Sequence, residues 1–154
     1  MAQPLAGDVA PDFELPDTHG TPVRLSALRG GPVVVVFFPF VFSRVCTSEL
    51  GELRDNLPEL TAGGARVLAI STDAMFAQRA WAESEEFGFD LLSDFWPHGS
   101  TARAYGVLDE GSGHALRGSF LVDAEGVVRW SVVNPRGQAR QLGDYLAALA
   151  GVGS

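Results

Sequence analysis

Residues 33–46 read Val33-Val34-Val35-Val36-Phe37-Phe38-Pro39-Phe40-Val41-Phe42-Ser43-Arg44-Val45-Cys46. The first six are β-branched or aromatic without interruption, which suits a strand buried on both faces. Pro39 has no N–H to continue a ladder and ends the run. From about Arg44, Leu50, Leu53, Leu57 and Leu60 fall three and four apart and draw one apolar stripe down a helix. Pro58 interrupts the stripe, so the helix should kink or stop near Asn56. Gly63-Gly64 breaks the chain, and Ala65 to Ser71 (ARVLAIS) is a second apolar run of strand length. Strand, helix and strand of these lengths make a parallel, right-handed crossover.

Beyond this unit, a second helix is expected over Ala74 to Phe87, with Asp73 as N-cap. Leu91-Leu92 reads as a short strand before the loop Ser93 to Gly99 (SDFWPHG), and Thr101 to Ala104 as a short helix. Tyr105 to Asp109 and Ala115 to Val122 read as strands joined by the Gly-rich EGSGH loop, followed by a turn at Asp123 to Gly126 and a strand over Val127 to Val133. An amphipathic helix from about Ala139 to Leu149 closes the chain. A parallel unit first and an antiparallel hairpin later predict an α/β fold: a mixed β-sheet flanked by helices, in the thioredoxin-like arrangement. No repeat or linker divides the sequence, so residues 1–154 read as a single domain.

Composition narrows the function. A net charge of −8 with no basic run argues against nucleic acid as a partner. All eleven basic residues are Arg, which codon usage in a GC-rich genome accounts for. The start lacks the charged and apolar regions of a signal peptide, and the longest apolar run, Val33 to Phe42, falls short of the ~20 residues of a membrane span. A cytoplasmic protein with no membrane partner is expected. The single cysteine forbids an internal disulfide, and His19, His98 and His114 lie too far apart to suggest a metal site. No G-x-G-x-x-G follows the first strand, so no flavin or nicotinamide cofactor is expected.

A free cysteine is usually a small buried hydrophobe. Cys46 instead falls in the first turn of a helix, directly after a buried strand. Reactive groups gather at the carboxyl ends of parallel strands, and a helix N-terminus presents unpaired N–H groups and partial positive charge that favour a thiolate.

Pro39 to Cys46 fits the pattern P-x-x-x-[T/S]-x-x-C and resembles the signature of the peroxiredoxin family. Glu49 fits the same pattern. Leu116 to Asp123 (LRGSFLVD) resembles the family strand that supplies an active-site arginine, here Arg117. Ser93 to Gly99 resembles the corresponding segment of one-cysteine peroxiredoxins of the alkyl hydroperoxide reductase E type. The likeness runs from APDFELPD at Ala10 to the last helix. It implies a thiol peroxidase in which Cys46 attacks hydrogen peroxide or an organic hydroperoxide and becomes a sulfenic acid. Ser43, Arg117 and the Cys46 N–H would serve as donors to the peroxide, Pro39 would shield the sulfur, and Glu49 would orient an arginine by a bidentate contact. The family usually has Thr where this chain has Ser43.

An ordinary thiol of pKa ~8.5 is already about 5–10% ionised near neutral pH, and a lower pKa also lowers nucleophilicity. The larger share of the rate should therefore come from donors that align the peroxide and stabilise the leaving oxygen. With no second cysteine, recycling must use an external reductant. The resemblance implies a low-molecular-weight thiol or a glutaredoxin- or mycoredoxin-like protein, and a homodimer.

Other readings compete. A thiol-based peroxide sensor would share the first step, and a non-catalytic thioredoxin-like binding module would have an unreactive Cys46. Taken singly, Arg117 reads as half of a structural ion pair, Glu49 as a dipole-favoured acid, Pro39 as a strand terminator and Ser43 as an N-cap. Arg44 reads equally as a tuning charge and as a solvated side chain. Phe40, Phe42 and Phe95 read chiefly as core packing, and Trp81, Trp96 and Trp130 as core or interface aromatics.

Overall fold

The structure is a computed structural model, and it describes residues 2–135 and 137–152. A short antiparallel pair, β1 (Glu14–Pro16) and β2 (Pro22–Arg24), opens the chain and leads through a 3₁₀ turn at Leu25–Leu28. Then follow β3 (Val33–Phe37), α1 (Arg44–Asp55), α2 (Leu57–Thr61), β4 (Arg66–Ser71), α3 (Met75–Glu85), β5 (Asp90–Ser93), α4 (Ser100–Ala104), β6 (Arg117–Val122), β7 (Val128–Asn134) and α5 (Leu142–Val152). The main sheet has the order β5-β4-β3-β6-β7. β3 pairs with β4, and β4 with β5, in parallel; β6 lies antiparallel to both β3 and β7. This is the mixed, thioredoxin-like sheet that the element order predicts.

β3 is the central strand and is buried along its whole length. Its side chains alternate between two cores, as strand geometry requires. Val33, Val35 and Phe37 face a cluster built with Phe13, Leu15, Leu25, Ala102, Tyr105 and Phe120. Val34, Val36 and Phe38 face a second cluster with Leu50 and Leu53 of α1, Leu60 of α2, Trp81 of α3 and Tyr145 of α5. A strand that contributes to both layers must be apolar at every position, which is why the VVVVFF run is continuous rather than alternating.

The helix carrying Cys46 stops where Pro58 predicts. α1 ends at Asp55, the Asn56 N–H still donates to the Glu52 and Leu53 carbonyls, and Pro58 sits in the first turn of α2, where its missing N–H costs nothing. Three expectations are corrected. Tyr105 to Asp109 is not a strand: Tyr105 caps α4, and only an isolated bridge joins Leu108 to Ala115. Its apolar residues are buried by packing onto the sheet rather than by pairing within it, a distinction that hydrophobicity alone does not carry. The last helix begins at Leu142 rather than Ala139. Asp73 does not cap α3; Ala74 holds the cap position with no side-chain bond.

Candidate active site

The chain leaves β3 with one more ladder bond, from the Phe38 N–H to the Ile70 carbonyl at 2.9 Å. Pro39, buried, turns it out of the sheet. Phe42 has φ 64°, the left-handed region that an L-residue enters at a cost, and the chain then returns to extended geometry at Ser43. Ser43 is the N-cap of α1: its Oγ accepts from the Cys46 N–H at 3.2 Å. The N–H that the sequence offered as a peroxide donor is therefore engaged by the cap, while the Ser43 hydroxyl proton remains a donor.

Cys46 is fully buried against Leu50, Phe38 and Trp81 in the second core. Arg117, the first residue of β6, reaches it: Nη1 donates to Sγ at 3.3 Å and to Glu49 Oε1 at 2.5 Å. Arg117 is placed by the residue after it. A Cβ on Gly118 would stand 2.7 Å from Val107 Cγ1, so only glycine lets the Val107 segment lie against β6 at this point. Glu49, three residues after Cys46 and hence on the same side of α1, is also buried.

The arginine that Glu49 grips in bidentate fashion is not Arg117 but Arg140, which the sequence reading missed. Arg140 Nε donates to Glu49 Oε2 at 3.0 Å, Nη2 to Oε1 at 2.9 Å, and the Arg140 backbone N–H to Oε2 at 2.6 Å. Its Nη1 donates to the Phe37 and Gly118 carbonyls at 2.6 and 3.0 Å and to Ser119 Oγ at 3.0 Å. One side chain thus ties the exit of β3, the start of β6 and the Cys46 helix together. In the sequence it stands in a polar, Gly-containing loop (PRGQAR), where an arginine looks solvated; the only signal pointing to it was a buried acid in need of a bidentate partner.

Electrostatics agree with this wiring. Burial by itself would raise the Glu49 pKa, but the Arg140 hydrogen bonds and charge, with Arg117 beside them, outweigh it and hold the carboxyl below its usual range. The buried Glu49 carboxylate is thus shared by two buried guanidinium groups, those of Arg117 and Arg140. Arg44 is exposed and lies outside this cluster. Trp81 is buried in the core, whereas Phe40, Phe42, Phe95 and Trp96 are exposed. Core packing is thus the wrong reading of the loop phenylalanines: they sit on segments that leave the carboxyl ends of β3 and β5, beyond the end of the sheet, where Phe40 and Phe42 touch the buried His114 and Trp81 rings on one side and stay open on the other.

Comparison with known proteins gives a consistent answer. Residues 6–131 match the model of the AhpC/TSA family. The chain is 43% identical over 145 residues to alkyl hydroperoxide reductase E of Mycobacterium tuberculosis, covering 94% of this chain and 95% of that protein. The crystal structure of peroxidoxin BcpB from Mycobacterium tuberculosis superposes with a TM-score of 0.87 at 33% identity, covering 97% of this chain and 99% of that one. Enterococcus faecalis AhpC gives the same TM-score at 31% identity, over 97% of this chain and 92% of its own.

Proposed function

Because the chain belongs to the AhpC/TSA family of peroxiredoxins and is a thiol-dependent peroxidase of the one-cysteine type, we propose that Cys46 is its peroxidatic residue and that Arg117, Ser43 and Pro39 complete the site. The observation that carries this assignment is the 3.3 Å contact between Arg117 Nη1 and Cys46 Sγ inside a water-excluding core.

The thiolate attacks one peroxide oxygen in line with the O–O bond. A sulfur–oxygen bond forms, the O–O bond breaks, and the second oxygen leaves as hydroxide or alkoxide and takes a proton. Cys46 is oxidised by two electrons to the sulfenic acid and the peroxide is reduced by two. Arg117 can donate to the peroxide from the side of the sulfur, Ser43 can donate through its free hydroxyl proton, and Pro39 walls off bulk water. Donors fixed in advance at the developing charge act without reorganisation, and removing one such donor typically costs about 3–4 kcal/mol. Glu49 and Arg140 hold Arg117 and the start of α1 in register. The reaction needs no bound cofactor or metal.

Reduction of the sulfenic acid requires a thiol from outside the chain, which has one cysteine. A first thiol displaces water to give a mixed disulfide, and a second releases Cys46. We assign the reductant to a low-molecular-weight thiol or a glutaredoxin- or mycoredoxin-like protein. We further read residues 1–154 as one cytoplasmic domain acting as a homodimer. Five exposed aromatic residues on segments following β3, β4 and β5 support self-association: Phe40 (41%), Phe42 (58%), Phe76 (72%), Phe95 (52%) and Trp96 (80%).

The test is a stopped-flow reaction of the reduced protein with stoichiometric hydrogen peroxide. Trp81, in the same core cluster as Cys46, provides the fluorescence signal. The native protein is expected to react orders of magnitude faster than the same chain unfolded in denaturant, with one oxygen added at Cys46 by mass spectrometry. Equal rates for the two forms would reject the site.

A further inference from the structure

We propose that Asp73 is a positioning residue that latches the Cys46 loop shut, favouring the peroxide step and opposing the thiol step; this rests on the assignment of Cys46 above. Asp73 lies between β4 and α3, outside the Arg117–Glu49–Arg140 cluster. Its Oδ2 accepts from the Val41 N–H at 3.0 Å. Among the described residues this is the hydrogen bond that joins residues 39–42 of the loop to a side chain elsewhere in the fold.

The latch is anchored on its other side. Ser71 Oγ donates to the same Asp73 oxygen at 2.7 Å, and accepts from the Gln78 side-chain amide at 2.9 Å. That amide also donates to the Leu92 carbonyl at 2.8 Å, and Ser93 Oγ donates to the Asp73 carbonyl at 2.7 Å. Ser71, Gln78 and Ser93 are buried. The carboxyl ends of β4 and β5 therefore fix Asp73, and Asp73 fixes the loop leaving β3. A helix-start aspartate ordinarily caps its own helix; here α3 has no side-chain cap and the carboxylate is turned to the loop instead. Just beyond Val41 lie the left-handed Phe42 and the cap residue Ser43, so the Val41 N–H sets the approach to the first turn of α1.

Burial sets two opposed demands on this loop. Peroxide attack wants Cys46, Ser43 and Arg117 in the closed arrangement. The sulfenic acid must then meet a thiol far larger than peroxide, yet Cys46 in the closed arrangement has no exposed surface. Residues 39–46 must move to expose it, and the Val41–Asp73 bond resists that motion.

Asp73→Ala and Asp73→Asn separate the steps. In Asp73→Ala the rate of sulfenic acid formation with hydrogen peroxide is expected to fall about tenfold. The reaction of the sulfenic acid with glutathione is expected to rise about tenfold, the order of effect of losing one hydrogen bond to a carboxylate. Asp73→Asn keeps an acceptor oxygen and is expected to stay within about threefold of the parent chain in both. Alkylation of reduced Cys46 by a maleimide dye reads loop opening without peroxide, and should also quicken about tenfold in Asp73→Ala. Loss of both half-reactions together, no change in alkylation, or an Asp73→Asn variant as perturbed as Asp73→Ala would overturn the latch. If the parent chain shows no accelerated peroxide reaction, the peroxidatic assignment fails instead, and alkylation alone judges the latch.

Discussion

At the scale of single residues, the site is organised by one buried acid shared between two arginines. Breaking such a cluster by removing one partner typically costs about 3–5 kcal/mol, because the remaining charges stay buried without compensation. Arg140→Ala is therefore expected to lower unfolding free energy by about that amount in urea titrations. Arg140→Lys keeps the charge but loses the fork and the contacts with the Phe37 and Gly118 carbonyls; it should fold, and react with peroxide at least tenfold more slowly in stopped flow because Arg117 loses its support. Glu49 also gives stability a defined pH dependence. Its folded-state pKa lies below the ordinary glutamate value, so its contribution is fully present above about pH 4.5 and is lost as pH falls through the depressed folded value. Urea titrations from pH 7 to pH 3 should show this loss in the parent chain and a shallower acid limb in Glu49→Gln. Cys46, Ser43, Pro39, Glu49 and Arg117, the residues proposed for the site, come from two short segments and were named from their fixed spacing. Arg140 was not, since its role depends on a carboxylate ninety-one positions away.

At the scale of elements, α1 is the working part. Its N-cap Ser43 satisfies the Cys46 N–H, and its break at Asn56 lets α2 pack Leu60 into the same core. Loss of a serine cap costs about 1 kcal/mol, so Ser43→Ala should be destabilised by that amount in a denaturant melt. It should also react with peroxide more slowly, having lost a donor, whereas Ser43→Thr should retain both properties. On β6, Gly118→Ala would press a methyl group into Val107 Cγ1. Overpacking of this kind costs about 1–3 kcal/mol, and the shift it forces on Arg117 should appear as a slower peroxide step in stopped flow with α1 intact by circular dichroism. The misread elements share a cause. Tyr105 to Asp109 and Ala115 carry strand-like residues, but whether an apolar segment pairs within a sheet or lies across it is settled by neighbouring strands. Asp73 looked like a helix cap because the local pattern is that of a cap; its carboxylate was claimed by Val41, thirty-two positions earlier.

At the scale of the whole molecule, the sheet gathers distant segments at one end. The carboxyl ends of β3, β4 and β5 deliver the Cys46 loop, the Asp73 turn and the Phe95-Trp96 loop, while antiparallel β6 starts at that same end and brings Arg117 in from the opposite direction. Sedimentation should show a species of twice the chain mass, and Trp96→Glu should shift it toward the monomer if the exposed aromatics form the contact; a parent chain that sediments as a monomer would reject the homodimer. The sequence by itself determined the strand–helix–strand unit, the mixed sheet and the place of the one cysteine in the first turn of α1, because those follow from local periodicity and from proline and glycine breaks. Only the tertiary structure decided which arginine Glu49 holds, which carboxylate fastens the loop and which aromatics stay in the open. Each of these depends on groups far apart in sequence meeting in a space that excludes water, and hydrogen-bond partners in such a space are chosen by proximity in the fold rather than by order along the chain.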